Sequence, residues 1–446
     1  MCECCRLAGA HGPLAARFGR STKITGLEGE GTVRATTLLN RMLGLAGVSV
    51  SGFTFAADGL VTVAVVLRRR TLACPLCGYV TWARYDTRDA CSRWRHLDAG
   101  ARKVVITARL RRLACPVHGV ITEAVPFARP HTAFTRDFED QLAWLVTRMD
   151  KTSACRLARI DWDTAGRICQ RVSDEGLDPR RLEGLRRIGV DEVSWKKHHH
   201  YLTVVTDHDA RKLIWGAPGK DAAAFGAFFD AIGSGAAAQL THISMDMSPA
   251  FTQAAGEHAP QAVICWDPFH LVKKVTEALD IVRRHAIAEM TRASPGAASR
   301  YAGARWALLK RPRDLTTRQG EVLRKLRRAG GTLWRAYTLK EAFCDIIAAR
   351  SPPALRQIDR WCAVAARSRI PPMINVARTI RRRRDGLAAA LTTRTTNGLA
   401  EGLNNNIRMC IRRARGFHSP QAALALAMLT CGPITLTLPH EKTRKP

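Results

Sequence analysis

Ile188-Gly189-Val190-Asp191-Glu192 is a short β-branched run closed by carboxylates, and it opens a stretch, residues 186–268, in which such runs alternate with helical periodicity. Strands are predicted at 187–190, 201–206, 212–215, 242–245 and 262–266, with a helix over 222–232. That alternation predicts an α/β sheet as the central fold. Asp191 is predicted to end the first of these strands and Asp246, in Ile243-Ser244-Met245-Asp246-Met247, to end the fourth. A third acid, Glu401, opens the polar helical run Asn397-Gly398-Leu399-Ala400-Glu401-Gly402-Leu403-Asn404-Asn405-Asn406, which can carry it alongside the aspartates. Three carboxylates so disposed suit a pair of Mg²⁺ or Mn²⁺ ions and phosphoryl transfer on nucleic acid.

Charge points the same way. The 446 residues carry 70 Lys plus Arg against 38 Asp plus Glu, a net +32, which implies a large polyanionic partner or an anionic membrane, and nucleic acid is the better choice. No run of eighteen apolar residues supports a membrane span, and no secretory signal is evident, so a cytoplasmic protein is expected. The 14 cysteines do not resemble a disulfide framework and fit a reducing compartment. Residues 1–36, rich in Gly and Arg and containing Cys2, Cys4 and Cys5, read as a disordered leader or an over-called start, with no metal assigned to those cysteines.

Between two strand-like runs at 60–67 and 103–110 lies Cys74-Pro75-Leu76-Cys77-Gly78, matched further on by Cys115-Pro116-Val117-His118-Gly119. Two such knuckles supply four ligands for one tetrahedral, structural Zn²⁺: Cys74, Cys77, Cys115 and His118, with Cys91 or His96 as competitors for the fourth position. Residues 150–159 and 160–172 have helix-turn-helix spacing. The second helix would present Thr164, Arg167 and Arg171 to a DNA groove and its phosphates.

Around Glu401, Asn404 or Asn405 and Arg408 recur at helical intervals and share its face, and the basic series Arg408, Arg412, Arg413 continues along the same helix as a DNA-backbone contact. Strand alternation puts Glu192 opposite Asp191, so one of the two is expected to reach a metal. Asp267, in Cys265-Trp266-Asp267-Pro268-Phe269-His270, competes with Asp246, because both end apolar strands and both precede a helix. The tract Lys196-Lys197-His198-His199-His200 reads as a solvated or phosphate-facing turn. Residues 271–393 are helical and basic, and they separate Glu401 from the aspartates as an insertion within one catalytic fold.

Taken in order, the Cys-Pro-Leu-Cys-Gly knuckle, the helix-turn-helix, Gly189-Val190-Asp191-Glu192, Asp246-Met247, Asp267-Pro268-Phe269-His270-Leu271-Val272 and Glu401-Gly402-Leu403-Asn404-Asn405 with Arg412-Arg413 resemble a bacterial insertion-sequence transposase of the ISL-three group. That group is a branch of the DDE superfamily with a ribonuclease-H-like core, and the resemblance runs from about Leu38 to the C-terminal helix. It implies that Asp191, Asp246 and Glu401 are the catalytic, Mg²⁺-binding triad. Asp246 is favoured over Asp267 because such a sheet places its second carboxylate after the fourth strand. The N-terminal modules would recognise terminal inverted repeats, and the protein, bacterial and nucleoid-associated, would act on double-stranded DNA, those repeats and the target, as a homo-oligomer. His118 departs from the Cys often found there, and residues 1–36 have no counterpart.

The expected architecture is therefore multidomain α+β: a zinc-binding β-rich domain at 37–130, a helix-turn-helix region at 131–180, and a ribonuclease-H-like α/β catalytic core at 186–270 and 394–432. The basic helical insertion at 271–393 interrupts that core, and a tail follows at 433–446. Two other readings remain open at this point, a DNA-binding regulator without catalysis and a metal-dependent structure-specific nuclease.

Overall fold

The computed structural model describes residues 16–18, 23–24, 33–196, 198–293, 304–349, 354–414 and 416–442. The reading of Cys2, Cys4 and Cys5 concerns residues outside this set, as does most of 1–36. The chain forms two compact units, one up to Val172 together with the segment from Thr435, the other Ser173–Ile434.

In chain order the first unit contains β1 (Ala16–Phe18), β2 (Lys23–Ile24), β3 (Val33–Arg34), α1 (Ala35–Leu43), β4 (Val48–Phe55), β5 (Val61–Leu67), β6 (Leu72–Ala73), β7 (Val80–Thr81), β8 (Asp86–Thr87), β9 (Ser92–Ala99), β10 (Arg102–Ala108), β11 (Arg111–Cys115) and β12 (Gly119–Thr122). Its main sheet has the order β1-β4-β5-β10-β9. Alternate residues of β5, Val61, Val63 and Val65, face inward with Val104, Ile106, Trp94 and Phe127, the period-two burial of a sheet covered on one side. Residues 16–18, within the stretch read as a leader, lie antiparallel to β4. A smaller sheet, β12-β11-β8, and the β6-β7 pair hold the two cysteine knuckles, and their buried core is only Leu72, Cys74, Leu113 and Cys115.

Three helices follow, α2 (Arg136–Arg148), α3 (Lys151–Ala158) and α4 (Trp162–Gly176). Asp150 caps α3 by accepting from the Ser153 amide, and Arg159 in the left-handed conformation (φ 55°) ends it. Asp161 then caps α4 through the Thr164 amide at 2.7 Å. These are the two helices and tight turn expected from the spacing.

The second unit is built on β13 (Arg187–Lys196), β14 (His200–Asp207), β15 (Lys212–Pro218), α5 (Ala222–Ala237), β16 (His242–Met245), α6 (Pro249–His258), β17 (Val263–Trp266) and α7 (Pro268–Ala293). The sheet order is β15-β14-β13-β16-β17, with β13-β14-β15 antiparallel and β16 and β17 parallel to β13. This is the ribonuclease-H-like arrangement. Its strands match the sequence reading closely, with one correction: β13 does not end at Asp191. Pairing with β14 carries it on to Lys196, while its other neighbour β16 stops at Met245, so Asp191 lies mid-strand where the sheet splits.

Helices α8 (Ala304–Leu309), α9 (Thr317–Ala329), α10 (Gly331–Ala349), α11 (Ala354–Ala366), α12 (Pro371–Arg382) and α13 (Arg384–Thr393) make up the rest of the insertion and share one apolar core with the sheet through Leu271, Val275, Phe343, Trp361 and Leu387. The chain then returns as α14 (Gly398–Arg413) and α15 (Pro420–Cys431), which cover the other side of β13 and β14 through Ile407, Ala423 and Met428 against Val193, Leu202 and Val204.

Candidate active site and metal centres

Gly189 pairs with Ser244 across the parallel strands β13 and β16, so Asp191 and Asp246 each stand two residues beyond that pair, on neighbouring strands about 5 Å apart. Close approach fixes the glycine. A Cβ there would lie 2.8 Å from Thr206 Oγ1 and 2.9 Å from Ser244 Oγ. Met245 pairs in turn with Trp266, which puts Asp267 at the same level but one strand further from Asp191.

Asp191 is largely buried. Its Oδ1 accepts from the Glu192 amide at 2.8 Å and its Oδ2 from Asn404 Nδ2 at 2.7 Å. Burial, reinforced by the charges of Glu192 and Asp246 and opposed by the Glu192 amide and Arg408, pushes its carboxyl up to about 6. Asp246 accepts from the Ser248 amide at 2.9 Å in the turn that starts α6. Glu192, read from alternation as facing away, is also raised, first by burial and then by Asp246, while Lys220, His270 and Arg408 oppose the shift. Both acids of β13 thus share the field of Asp246.

A buried polar chain docks the start of α14 on the sheet: His208 Nε2 meets Ser244 Oγ at 2.8 Å, Ser244 donates to Asn397 Oδ1 at 3.0 Å, and Asn397 Nδ2 donates to Val190 O at 3.4 Å. Asn397 stands where an N-cap would, yet its side chain ties the helix to the strands. Seven residues on, Asn404 grips Asp191, and Glu401 lies between these anchors on the first turn of α14, exposed. Arg408 continues the same face, close enough to bear on Asp191 and Glu192. Among the described residues these three carboxylates are not a compact ligand cluster like the cysteine quartet, whose ligand atoms all lie within 4.8 Å.

Donor chemistry fits a divalent cation all the same. The set is all oxygen, the aspartate at its centre is held well above its ordinary range, and the buried Oδ1 of Asn404 has no hydrogen-bond partner. Asp267 is engaged differently: Oδ2 pairs with His270 Nδ1 at 2.8 Å and Oδ1 accepts from the Phe269 amide, so it caps α7. Its bond to His270, aided by the charges of Asp246 and Asp191, keeps that imidazole above its ordinary value.

In the first unit Cys74, Cys77, Cys115 and His118 converge as read, with Cys77 and Cys115 sulfurs 3.5 Å apart and His118 Nδ1 3.6 Å from both Cys74 and Cys115. Gly78 and Gly119 close the two knuckles at φ of 74° and 66°, a region that side chains with a Cβ avoid. Burial alone would raise the Cys115 thiol, but backbone amides of His118 and Val117 bring it down to about 6. Three sulfurs and one imidazole are a donor set consistent with zinc. His96 is not a competitor, because it is buried against the Thr135 hydroxyl at 2.8 Å and burial lowers it to about 4.

Of the groove residues on α4, Arg167 is exposed and steadied by Thr164 Oγ1 at 3.1 Å, itself bonded to Asp161. Arg171 is placed elsewhere. It binds the fully buried Glu139, which Arg129 and Thr132 also hold, so its guanidinium fastens α4 to α2. On α14, Arg412 is exposed, while Arg413 reaches back to Cys410 Sγ at 3.2 Å. Sequence alone did not reveal Asn397, Ser244 and His208 as a connected group, since their partners lie on different elements.

Residues 188–426 match a transposase family model of the ISL3-type DDE domain, and residues 123–173 match the helix-turn-helix domain of transposase family ISL3. The chain is 42% identical over 410 residues to the transposase for insertion sequence element IS1557 of Mycobacterium tuberculosis, covering 86% of this chain and 91% of that protein. It is 28% identical over 291 residues to the transposase for insertion sequence element IS1001 of Bordetella parapertussis, covering 63% and 71%.

Proposed function

As the chain belongs to the ISL3 family of transposases and carries its DDE domain and DNA-binding helix-turn-helix, we propose that it binds the terminal inverted repeats of its own element and cleaves and joins DNA there. The observation that carries this reading is the docking of α14 on the sheet split, with Asn404 on Asp191 and Glu401 one turn away. A regulator would have no use for that docking of an acid-bearing helix beside the aspartates of the sheet.

Asp191, Asp246 and Glu401 would hold two Mg²⁺ or Mn²⁺ ions. Bound there, such ions supply activation of water or of a freed 3′-hydroxyl and stabilise the leaving oxygen of an in-line displacement at phosphorus. Asn404 fixes the Asp191 carboxylate in one orientation, and Arg408 on the same helix face offers its guanidinium to the scissile phosphate. The acids of β13 exclude other anions until a cation or a proton offsets their repulsion. No covalent enzyme intermediate is required. Zinc held by Cys74, Cys77, Cys115 and His118 would be structural, because four protein ligands leave no open position for water. Two element ends must be cut and joined together, so the active form is a homo-oligomer on DNA.

Purified protein with Mg²⁺ or Mn²⁺ should nick duplexes carrying its element's ends at the terminal 3′ positions and join them to target DNA. A nuclease without joining activity would yield nicked products alone, and a regulator would leave the DNA intact.

Specificity is assigned to the first unit. Arg167→Ala should narrow the preference for inverted repeats over scrambled duplex by about tenfold, the loss of one good base contact. Arg171→Ala should instead lower the melting temperature, since it leaves Glu139 buried with one partner fewer. Gel-shift competition at near-physiological salt separates the two, because low salt lets a chain of net +32 hold any DNA.

A further inference from the structure

At the far end of the β13-β14-β15 hairpins lies a cavity of about 370 Å³ that the proposed chemistry does not use. Trp195, His199, His200, Tyr201, Lys220 and Pro420 line it. Trp195 is buried and firmly seated, while the imidazoles and Lys220 are exposed at the rim. Trp195 and His200 rings stand 5.6 Å apart at 53°, His199 and Tyr201 6.4 Å apart at 36°, and Lys220 Nζ lies 4.1 Å from the centre of the Tyr201 ring. The turn that presents these rings is unusual, with His198 and His199 both at positive φ, 65° and 63°.

One fact ties the cavity to the carboxylates: Trp195 is four residues from Asp191 on β13, and even spacing puts both side chains on one face, about 13 Å apart along the strand. A flat, uncharged, π-faced group joined to an anion would satisfy the rings and the lysine together. An unpaired nucleotide has that chemistry, and the 13 Å corresponds to about four stacked base steps of 3.4 Å.

The geometry points to a pocket that takes one unpaired nucleobase of the DNA strand being processed, laid against the His200 and Tyr201 rings in the cavity that Trp195 also lines, with its phosphate toward Lys220. This rests on the reading of the adjacent acids as a DNA-cleaving site, but its test does not depend on cleavage. Holding a base out of the duplex would anchor the strand end and keep the scissile phosphate from sliding.

The experiment uses the full chain in EDTA at near-physiological salt and two duplexes of the same sequence. One has a two-nucleotide 5′ extension with bases, the other the same extension with abasic sugars. The based extension should bind about tenfold tighter, and 2-aminopurine in the extension should be quenched on binding. In the doubly substituted His200→Ala, Tyr201→Ala protein the two duplexes should bind alike, and quenching should weaken; Lys220→Ala should weaken both extensions. Equal binding of both duplexes by the native chain, with no quenching, overturns the pocket, as does a preference that survives the double substitution. Quenching in the native chain is read without any variant, so a variant that fails to fold does not remove the test. Base discrimination in a protein that never cuts element ends would refute the transposition chemistry and leave the pocket standing. Cutting without discrimination would do the reverse.

Discussion

Asp191→Asn should abolish metal-dependent nicking of element ends and, in the absence of divalent ions, make the protein more stable. The first half follows from chemistry: an amide is a poor ligand for a hard dication, and losing a carboxylate that would hold the catalytic metal should cost about a thousandfold or more in rate. Asp246→Ala and Glu401→Ala should be equally inactive while still binding ends. The second half follows from the electrostatics of Asp191. Its native carboxyl is raised to about 6 by burial and by neighbouring acids, well above an unfolded aspartate near 3.9. The native state therefore binds that proton more tightly than the unfolded state, and its contribution to stability is complete below about pH 4 and lost as pH rises through about 6. Asparagine removes that loss.

The shift sets an upper bound near 3 kcal/mol, and asparagine keeps only one acceptor oxygen where Asp191 serves both Asn404 and the Glu192 amide, so a net gain of about 1–2 kcal/mol is expected. Thermal melts in EDTA should show it fully at pH 7.5 and hardly at pH 4. A variant that still cuts, or one destabilised at every pH, would remove Asp191 from the site. Asp267→Ala supplies the contrast. That residue caps α7 and pairs with His270, so its loss should lower stability and activity together, and an inactive Asp267→Ala beside an active Asp246→Ala would reverse the choice of second carboxylate.

Much of this site was legible because it depends on local pattern. β-branched runs gave the five strands of the second unit in place, and helical spacing put Glu401, Asn404 and Arg408 on one face. The choice between Asp246 and Asp267 needed strand order, and register confirms that β16 lies beside β13. What escaped depends on partners far away in sequence. Arg171 reads as a groove contact on its own helix, and only the buried Glu139 on α2 shows that it is an internal ion pair. Glu192 reads as facing away by alternation, yet the end of β16 brings Asp246 close enough for both acids of β13 to feel it. The length of β13 past Asp191 was hidden too, because Ser194 and Lys196 are poor strand formers held there by pairing with β14.

Removing zinc should have the second large effect, confined to the first unit. The knuckle region buries only Leu72, Cys74, Leu113 and Cys115, with Ile121 partly covered, and two of those four are proposed ligands. Such a core cannot offset the backbone entropy of ordering residues 72–87 and 111–122 without the metal, whereas zinc bound by four side chains typically contributes on the order of 10 kcal/mol to folding. The sheet of β4, β5, β10 and β9 has its own core around Val63, Ile106 and Trp94, and the second unit is larger still. Native protein should therefore contain one Zn²⁺ per chain by elemental analysis. Cys74→Ser, or exhaustive chelation, should release it and expose the amides of β6, β8, β11 and β12 to hydrogen exchange while amides of β13 to β17 stay protected. Recognition of inverted repeats should fall to the level of nonspecific binding. Cys91→Ser, which alters a cysteine outside the quartet, should keep the metal and the recognition. A Cys74→Ser protein that retains one zinc per chain, or a zinc-free protein with protected knuckle strands and undiminished end binding, would rule out a metal-built fold for this region.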